Sequence, residues 1–266
     1  MAAVLCFAPL CVAQTVKTTT YFGFDRNEYP GDPLLPALRR SFAYTGYWLN
    51  TPPGDSANTW TGKRAILKSS GFGFMVLYNG RLDAQLTGKD AAALGRSDAL
   101  DAISAAKREG FLPGAILFLD QEEGGRLLPD QGAYLFAWIE TIRKSQYKPG
   151  VYCSGIPVPE GPGKITTAEQ ILNHEVGKPV TLWVWNETFP AAPGCVLPEK
   201  ALAVASSGIK QALVWQYAKS PRTEFAGRGA VGYAADGSCY APGIPHSAQT
   251  FVDLNVSESQ DPSRGR

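Results

Sequence analysis

Short apolar runs ending in polar or aromatic residues recur along the chain, separated by loops or by stretches with helical periodicity. Strands are predicted at Tyr21–Asp25, Phe42–Leu49, Gly71–Tyr78, Ala115–Asp120, Gly150–Cys153, Val180–Trp185, Gln211–Gln216 and Gln249–Asp253. Most of these runs do not alternate, as in parallel strands buried on both faces. Between them, helices are predicted over Leu34–Ser41 and Thr61–Ser69. A longer one should run from the capping box Thr87-Gly-Lys-Asp90 to Glu109, with Leu100, Ile103 and Ala106 on its inner face. Others follow over Gln131–Lys144, after Thr167-Ala-Glu-Gln170, and from Pro198 to Gly208, which has Pro at the start and Gly past the end.

Strand and helix thus alternate about eight times in 266 residues. The expected fold is a single-domain, possibly irregular (β/α)8 TIM-type barrel over residues 18–256, with a doubly wound open sheet as the alternative. The polar strand ends favour the barrel: Asp25, Trp48/Asn50, Tyr78/Asn79, Asp120/Glu122, Tyr152/Ser154, Trp185/Asn186, Trp215/Gln216 and Asp253. A barrel gathers them on one face; an open sheet spreads them along a line. Residues 257–266 are polar and read as a disordered tail.

The richest chemistry follows Ala115-Ile-Leu-Phe-Leu-Asp120, where the chain continues Gln121-Glu122-Glu123-Gly124-Gly125. If the strand persists, Asp120 and Glu122 point the same way with Cα atoms roughly 6–7 Å apart. Two carboxyl groups sharing a small volume cannot both ionise freely, so one pKa rises and a proton donor stands beside an anion. Glycosidic-bond cleavage uses such a pair. The plainer reading is a solvated acidic loop. Glu123 should face away from Asp120. Tyr47, Tyr78, Tyr152, Trp185 and Trp215, with Asn186 and Gln216, are expected to form a platform for sugar rings around the acids, with core packing of the aromatics as the alternative.

Composition narrows the classes. A formal charge of +1 with no Lys/Arg-rich cluster argues against nucleic acid, and no apolar run is long enough to span a membrane. Gly227-Arg-Gly229-Ala-Val-Gly232 fits a dinucleotide pattern but follows no strand and opens no helix, so no cofactor is expected. His174 and His246 lack ligand spacing, so no metal is expected; without a histidine base, Cys153 and Ser154 are poor nucleophiles. Residues 1–14 look like the apolar and cleavage regions of a secretory signal, perhaps shortened at the basic end, with a buried strand as the alternative. Cys195 and Cys239 lie in loop-like sequence and would suit a disulfide in a secreted protein.

The segments Gly23-Phe-Asp25, Phe118-Leu-Asp-Gln-Glu122, Gly150-Val-Tyr-Cys-Ser-Gly155, Leu182-Trp-Val-Trp185, Val214-Trp-Gln-Tyr-Ala218 and Phe251-Val-Asp-Leu-Asn255 occur in this order. Together they resemble the glycoside-hydrolase-like domain of unknown function 1906 and, more distantly, the family 25 glycoside hydrolases, which are lysozymes. That resemblance implies an irregular β/α barrel acting on peptidoglycan or a similar N-acetylated glycan. It implies Glu122 as general acid, Asp120 as the group that stabilises positive charge or orients an acetamido group, and Asp25 and Asp253 as shapers of the electrostatics. After Asp25 the chain departs from the lysozymes, reading Arg26-Asn-Glu-Tyr-Pro-Gly31. A non-catalytic glycan-binding barrel is the alternative. A secreted monomer with a glycan partner is expected.

Overall fold

In the computed structural model, the described residues are 19–188, 191–200, 202–222 and 231–266; the candidate signal and the first glycines of the G-x-G-x-x-G segment lie outside them. Eight strands close a barrel: β1 (Tyr21–Asp25), β2 (Tyr44–Trp48), β3 (Gly73–Asn79), β4 (Ile116–Asp120), β5 (Lys148–Ser154), β8 (Thr181–Trp185), β9 (Ala212–Ala218) and β10 (Asp253–Ser257). A small hairpin, β6 (Val158–Glu160) and β7 (Gly163–Ile165), interrupts the series after β5. Around the sheet lie α1 (Leu35–Ser41), α2 (Arg64–Ser69), α3 (Asp83–Leu86), α4 (Ala91–Arg108), α5 (Pro129–Arg143) and α6 (Thr167–His174). The TIM-type barrel is therefore present, and it is irregular.

The irregularity lies in the last strand. Seven strands run parallel, whereas β10 pairs antiparallel with both β1 and β9. The expected strand Gln249–Asp253 is displaced: Asp253 begins β10 instead of ending it. Because β10 runs the other way, its first residue lies beside Asp25, the last residue of β1. Asp253 thus reaches the face where the parallel strands end.

Inside the barrel the two-residue period fixes what points inward. Gly23 exists because the Tyr44 ring crosses the interior there; a Cβ on Gly23 would lie 2.0 Å from that ring. Outside, α4 and α5 pack closely. A Cβ on Gly95 would come within 2.2 Å of the Tyr134 carbonyl oxygen, so α4 turns its small residues Gly95, Ala99, Ala102 and Ala106 inward. Leu100, expected on that face, is 58% exposed. The caps also shift: Asp90, not Thr87, caps α4 through the Ala93 amide, and Thr166 with Glu169 forms the capping box of α6. The helix expected from Pro198 to Gly208 is a single 3-10 turn at Val204–Ser207, ended by Gly208 at φ 92°. Ser207 turns its hydroxyl to the Ile209 amide, the local bonding by which serine competes with helix.

The expected disordered tail is ordered. Residues 258–266 cross the lower end of the barrel where β3 and β4 have not yet paired. Asp261 accepts from the Phe74 amide (2.9 Å), the Ser263 hydroxyl accepts from the Val76 amide (2.8 Å), and the Ser263 carbonyl accepts from the Ile116 amide (2.8 Å). Arg64 donates to the Gly265 carbonyl, and Arg266 donates to those of Gly71 and Phe72. Polar composition suggested disorder; these polar groups instead satisfy strand ends that the sheet leaves open. Asp261 also holds the Gly265 and Arg266 amides. Asp261→Ala is expected to lower the unfolding free energy by about 2–3 kcal/mol, since buried amides lose their acceptor. Urea denaturation checks this, and a change below about 0.5 kcal/mol, the scale of an ordinary surface substitution, would contradict the role.

Candidate active site

The ends of β1, β4, β5 and β9 and the start of β10 bound a cleft of about 350 Å³. Asp25, Asp120, Glu122 and Asp253 all line it, together with Arg26, Trp48, Tyr152, Lys219 and Phe251. The four carboxylates named from the sequence thus come together.

Asp25, Asp120 and Asp253 reach the cleft by strand parity. Asp25 ends β1 facing in, over Gly46, whose Cβ would lie 2.7 Å from that of Asp25. Asn255, two residues after Asp253 on the same face, donates to Asp25 at 2.6 Å and accepts from the Trp183 indole at 2.8 Å. Gln216 of β9 donates to Asp25 (3.1 and 3.3 Å) and to Asp253 (3.2 Å), while its carbonyl accepts from the Tyr152 hydroxyl at 2.8 Å. The Ser220 amide donates to Asp253 at 2.7 Å.

Asp120 is different. It is 4% exposed, and neither carboxyl oxygen has a hydrogen-bond partner among the described residues. Glu122 lies beyond β4 on a loop pinned by the Gln121 amide on the Tyr152 carbonyl and by Thr167 and Gln170 on the Gly125 carbonyl. Its side chain is a third exposed, and Lys219 Nζ stands 3.6 Å from one oxygen. Glu123 turns away, accepting from the Asp83 amide and from Gln131 at 2.7 Å each, as alternation suggested.

The expected rise in a carboxyl pKa is present. Burial lifts Asp25 to about 7 against the bonds from Asn255 and Gln216, with Glu122 adding to the rise. Burial, then the charges of Glu122 and Asp25, raises Asp120 well above the usual carboxylate range; burial and then Asp25 do the same to Asp253. Burial alone would lower the Lys219 ammonium, but Glu122, Asp253 and Asp120 outweigh it and hold the cation. The cleft therefore holds carboxyl groups that resist ionisation beside one that is ion-paired.

The aromatic platform needs correction. Tyr152 lines the cleft and Gln216 joins the carboxylate network, but Tyr47, Tyr78 and Trp215 face outward. Tyr47 packs against Trp60, Phe74 and Phe111 and donates to Glu109. Tyr78 donates to Asp101 of α4, and Trp215 to the Asn186 carbonyl. Asn186 in turn donates to the Ser207 carbonyl, a loop brace. Trp185 carries Lys219 above its ring, 5.5 Å from the centroid. Adjacent aromatics at a strand end point to opposite faces of the sheet. Trp48, one position from Tyr47, is the inward residue there and lines the cleft. Lys219 and Asn255 had weaker signals, as neighbours of Gln216 and Asp253.

Above this mouth the disulfide Cys195–Cys239 is formed and joins the loops that follow β8 and β9; Cys153 is free and buried in the core.

Residues 57–187 match the Rv2525c-like, glycoside hydrolase-like domain. No curated protein matches the chain in sequence. Among solved structures, an uncharacterized protein of B. stearothermophilus is 19% identical, covering 89% of this chain and 95% of its own at a TM-score of 0.59. The Mycobacterium tuberculosis Tat-secreted protein Rv2525c, in complex with L-tartrate, is 13% identical, covering 90% and 95% at 0.52. The catalytic domain of endolysin ply40, from bacteriophage P40 of Listeria monocytogenes, is 14% identical, covering 93% and 98% at 0.50. The resemblance to a glycoside-hydrolase-like domain stands. At these identities the neighbours show a shared barrel fold alone, and function rests on the site.

The raised carboxyls make stability depend on pH with a definite sign. Between the unfolded value near 4 and the folded values, near 7 for Asp25, the native state binds more protons than the unfolded chain, so stability falls as pH rises through that window. Asp120→Asn, which removes an uncompensated acid, is expected to raise stability at pH 8 by about 1–3 kcal/mol and to do so much less at pH 4.5. Urea denaturation at both pH values checks this; equal shifts would contradict it.

Proposed function

We propose that this protein is a secreted glycoside hydrolase that cleaves peptidoglycan or a related N-acetylated glycan by carboxylate acid/base chemistry. The observation that carries the reading is the convergence of Asp25, Asp120, Glu122 and Asp253 on one cleft at the barrel mouth. The Rv2525c-like match supports it, as does a shared fold with a protein described as an endolysin catalytic domain. The disulfide and the description of Rv2525c as Tat-secreted support export.

In this reading Glu122, a third exposed and protonated once the glycan displaces Lys219, meets the leaving group. Its proton passes to the glycosidic oxygen as the bond from that oxygen to the anomeric carbon breaks, with the bonding electrons going to oxygen. Positive charge develops on the sugar ring. Asp25 and Asp253, held by Gln216 and Asn255, shape the electrostatics around it from fixed positions. Asp120 lacks a partner in the protein and can accept one from the substrate, such as an acetamido N–H. Water then adds to the anomeric carbon as Glu122 takes back a proton. Trp48, Tyr152 and Phe251 offer apolar faces for sugar rings.

One contact favours a second reading, a non-catalytic glycan-binding barrel: the 3.6 Å ion pair that occupies Glu122 with Lys219. Release of reducing ends from purified peptidoglycan separates the two. The enzyme reading expects wild-type activity that falls at least about 100-fold in Glu122→Gln while glycan affinity is kept. Glycan binding by wild type without any release of reducing ends would favour the binder.

A further inference from the structure

Asp120 and Glu122 line a second, smaller hollow as well as the main cleft. This hollow, about 150 Å³, lies toward the loop after β3 and is bounded by Pro53, Asn79, Gly80, Arg81, Leu82 and Gln85. Pro53 also lines the main cleft, so the two are lobes of one groove with the Asp120–Glu122 pair at the divide. Gly80 lets the loop after β3 lie close on β4: a Cβ there would lie 2.4 Å from the Asp120 carbonyl oxygen. A chain-like ligand with its reacting bond at the pair would fill both lobes.

The far end of the smaller lobe carries the opposite charge, and its orientation is fixed from behind. Arg81 donates from Nε and Nη2 to the two oxygens of Asp98, at 2.6 and 2.8 Å. Asp98 is buried in α4 and also accepts from the Tyr134 hydroxyl at 2.8 Å, so the clamp is tied into the α4–α5 packing. The guanidinium is a third exposed, and Nη1 has no hydrogen-bond or ion-pair partner among the described residues. A fork used on one edge and open on the other is set to receive a planar anion. At the opposite end stands the unpartnered, buried carboxyl of Asp120. Arg81 is the one cation among the described residues lining this lobe, so a negative group on the ligand is favoured at its end.

We propose that the smaller lobe is a subsite for a sugar bearing a carboxylate and that Arg81 is its specificity determinant, binding the acid through Nη1. This deepens the glycan reading and rests on it. The gradient from acidic divide to cationic end would also set the direction in which a glycan lies in the groove, since the reverse orientation brings the substituent against Asp120 and Glu122. Asp98 is a positioning residue, acting by holding the guanidinium.

The test measures affinity in the Glu122→Gln background, so that turnover does not consume the ligand. The probes are soluble glycan strands stripped of their peptides, which expose lactyl carboxylates, and the same strands with those carboxylates converted to methylamides. Intact muropeptides, which carry their acids on the peptide, form a third arm. Arg81→Gln is expected to weaken binding of the carboxylate strands about tenfold, with less than a twofold change for the methylamides. Arg81→Lys, with the charge but not the fork, should recover only part. A loss confined to intact muropeptides would move the acid from the sugar to the peptide and overturn the sugar assignment. Equal losses for carboxylate and amide strands, the mark of a merely structural residue, would overturn the proposal, as would no loss or no binding. Hydrolysis by the otherwise wild-type protein is scored separately. Discrimination by Arg81 without hydrolysis would sink the enzyme reading and leave this one standing; hydrolysis without discrimination would do the reverse.

Discussion

Gln216 donates from one amide nitrogen to Asp25 and Asp253 and accepts from Tyr152 with its oxygen, so three strands meet on a single side chain. The bond requires β5, β9, β1 and β10 to present inward residues at the same height. A one-residue slip in any of them would turn its member of this network out toward the helices. Asn255 adds a second tie, from Asp25 to the Trp183 indole. The reversed direction of β10 fits the same requirement, because it brings both Asp253 and Asn255 to the end of the barrel where β1 finishes.

This arrangement opposes stability. Burial pushes Asp25, Asp120 and Asp253 away from ionisation, and Lys219 is the cation whose charge counteracts that rise in all three. Asp120 bears the least compensated share, since nothing in the described protein bonds to its oxygens. Groups left in that state commonly mark places where a ligand completes the bonding. The surrounding structure is correspondingly well tied: the loop carrying Glu122 is held by α6 and β5, and the two loops over the mouth are covalently joined.

Much of this was legible in the chain. The apolar runs located seven of the eight barrel strands and displaced the eighth, and the acids at their ends identified the mouth. The aromatics were less legible because adjacent residues of a strand face opposite ways. Tyr47 and Trp48 look alike in composition, and only the register that sets Gly46 under Asp25 decides between them. The helix expected before Gly208 fell short where Ser207 bonds locally. The direction of β10 could not be read at all, since an antiparallel strand and a parallel one carry the same apolar pattern. The polar tail reads as solvated in sequence, whereas Asp261 and Ser263 serve backbone amides of β3.

The segment crossing the lower end of the barrel bears on how the chain reaches this state. β1 pairs with β10 across more than two hundred residues, and the crossing residues join β3 and β4 from a comparable distance. Contacts so remote in sequence form late and slowly, because a long loop must close before any of them is rewarded. The ring therefore cannot shut until residues 253–257 have been made, and until then β1 offers a bare edge. Such an edge is a template for pairing with another chain. The strand that completes the barrel is thus also the one that ends its exposure to strangers.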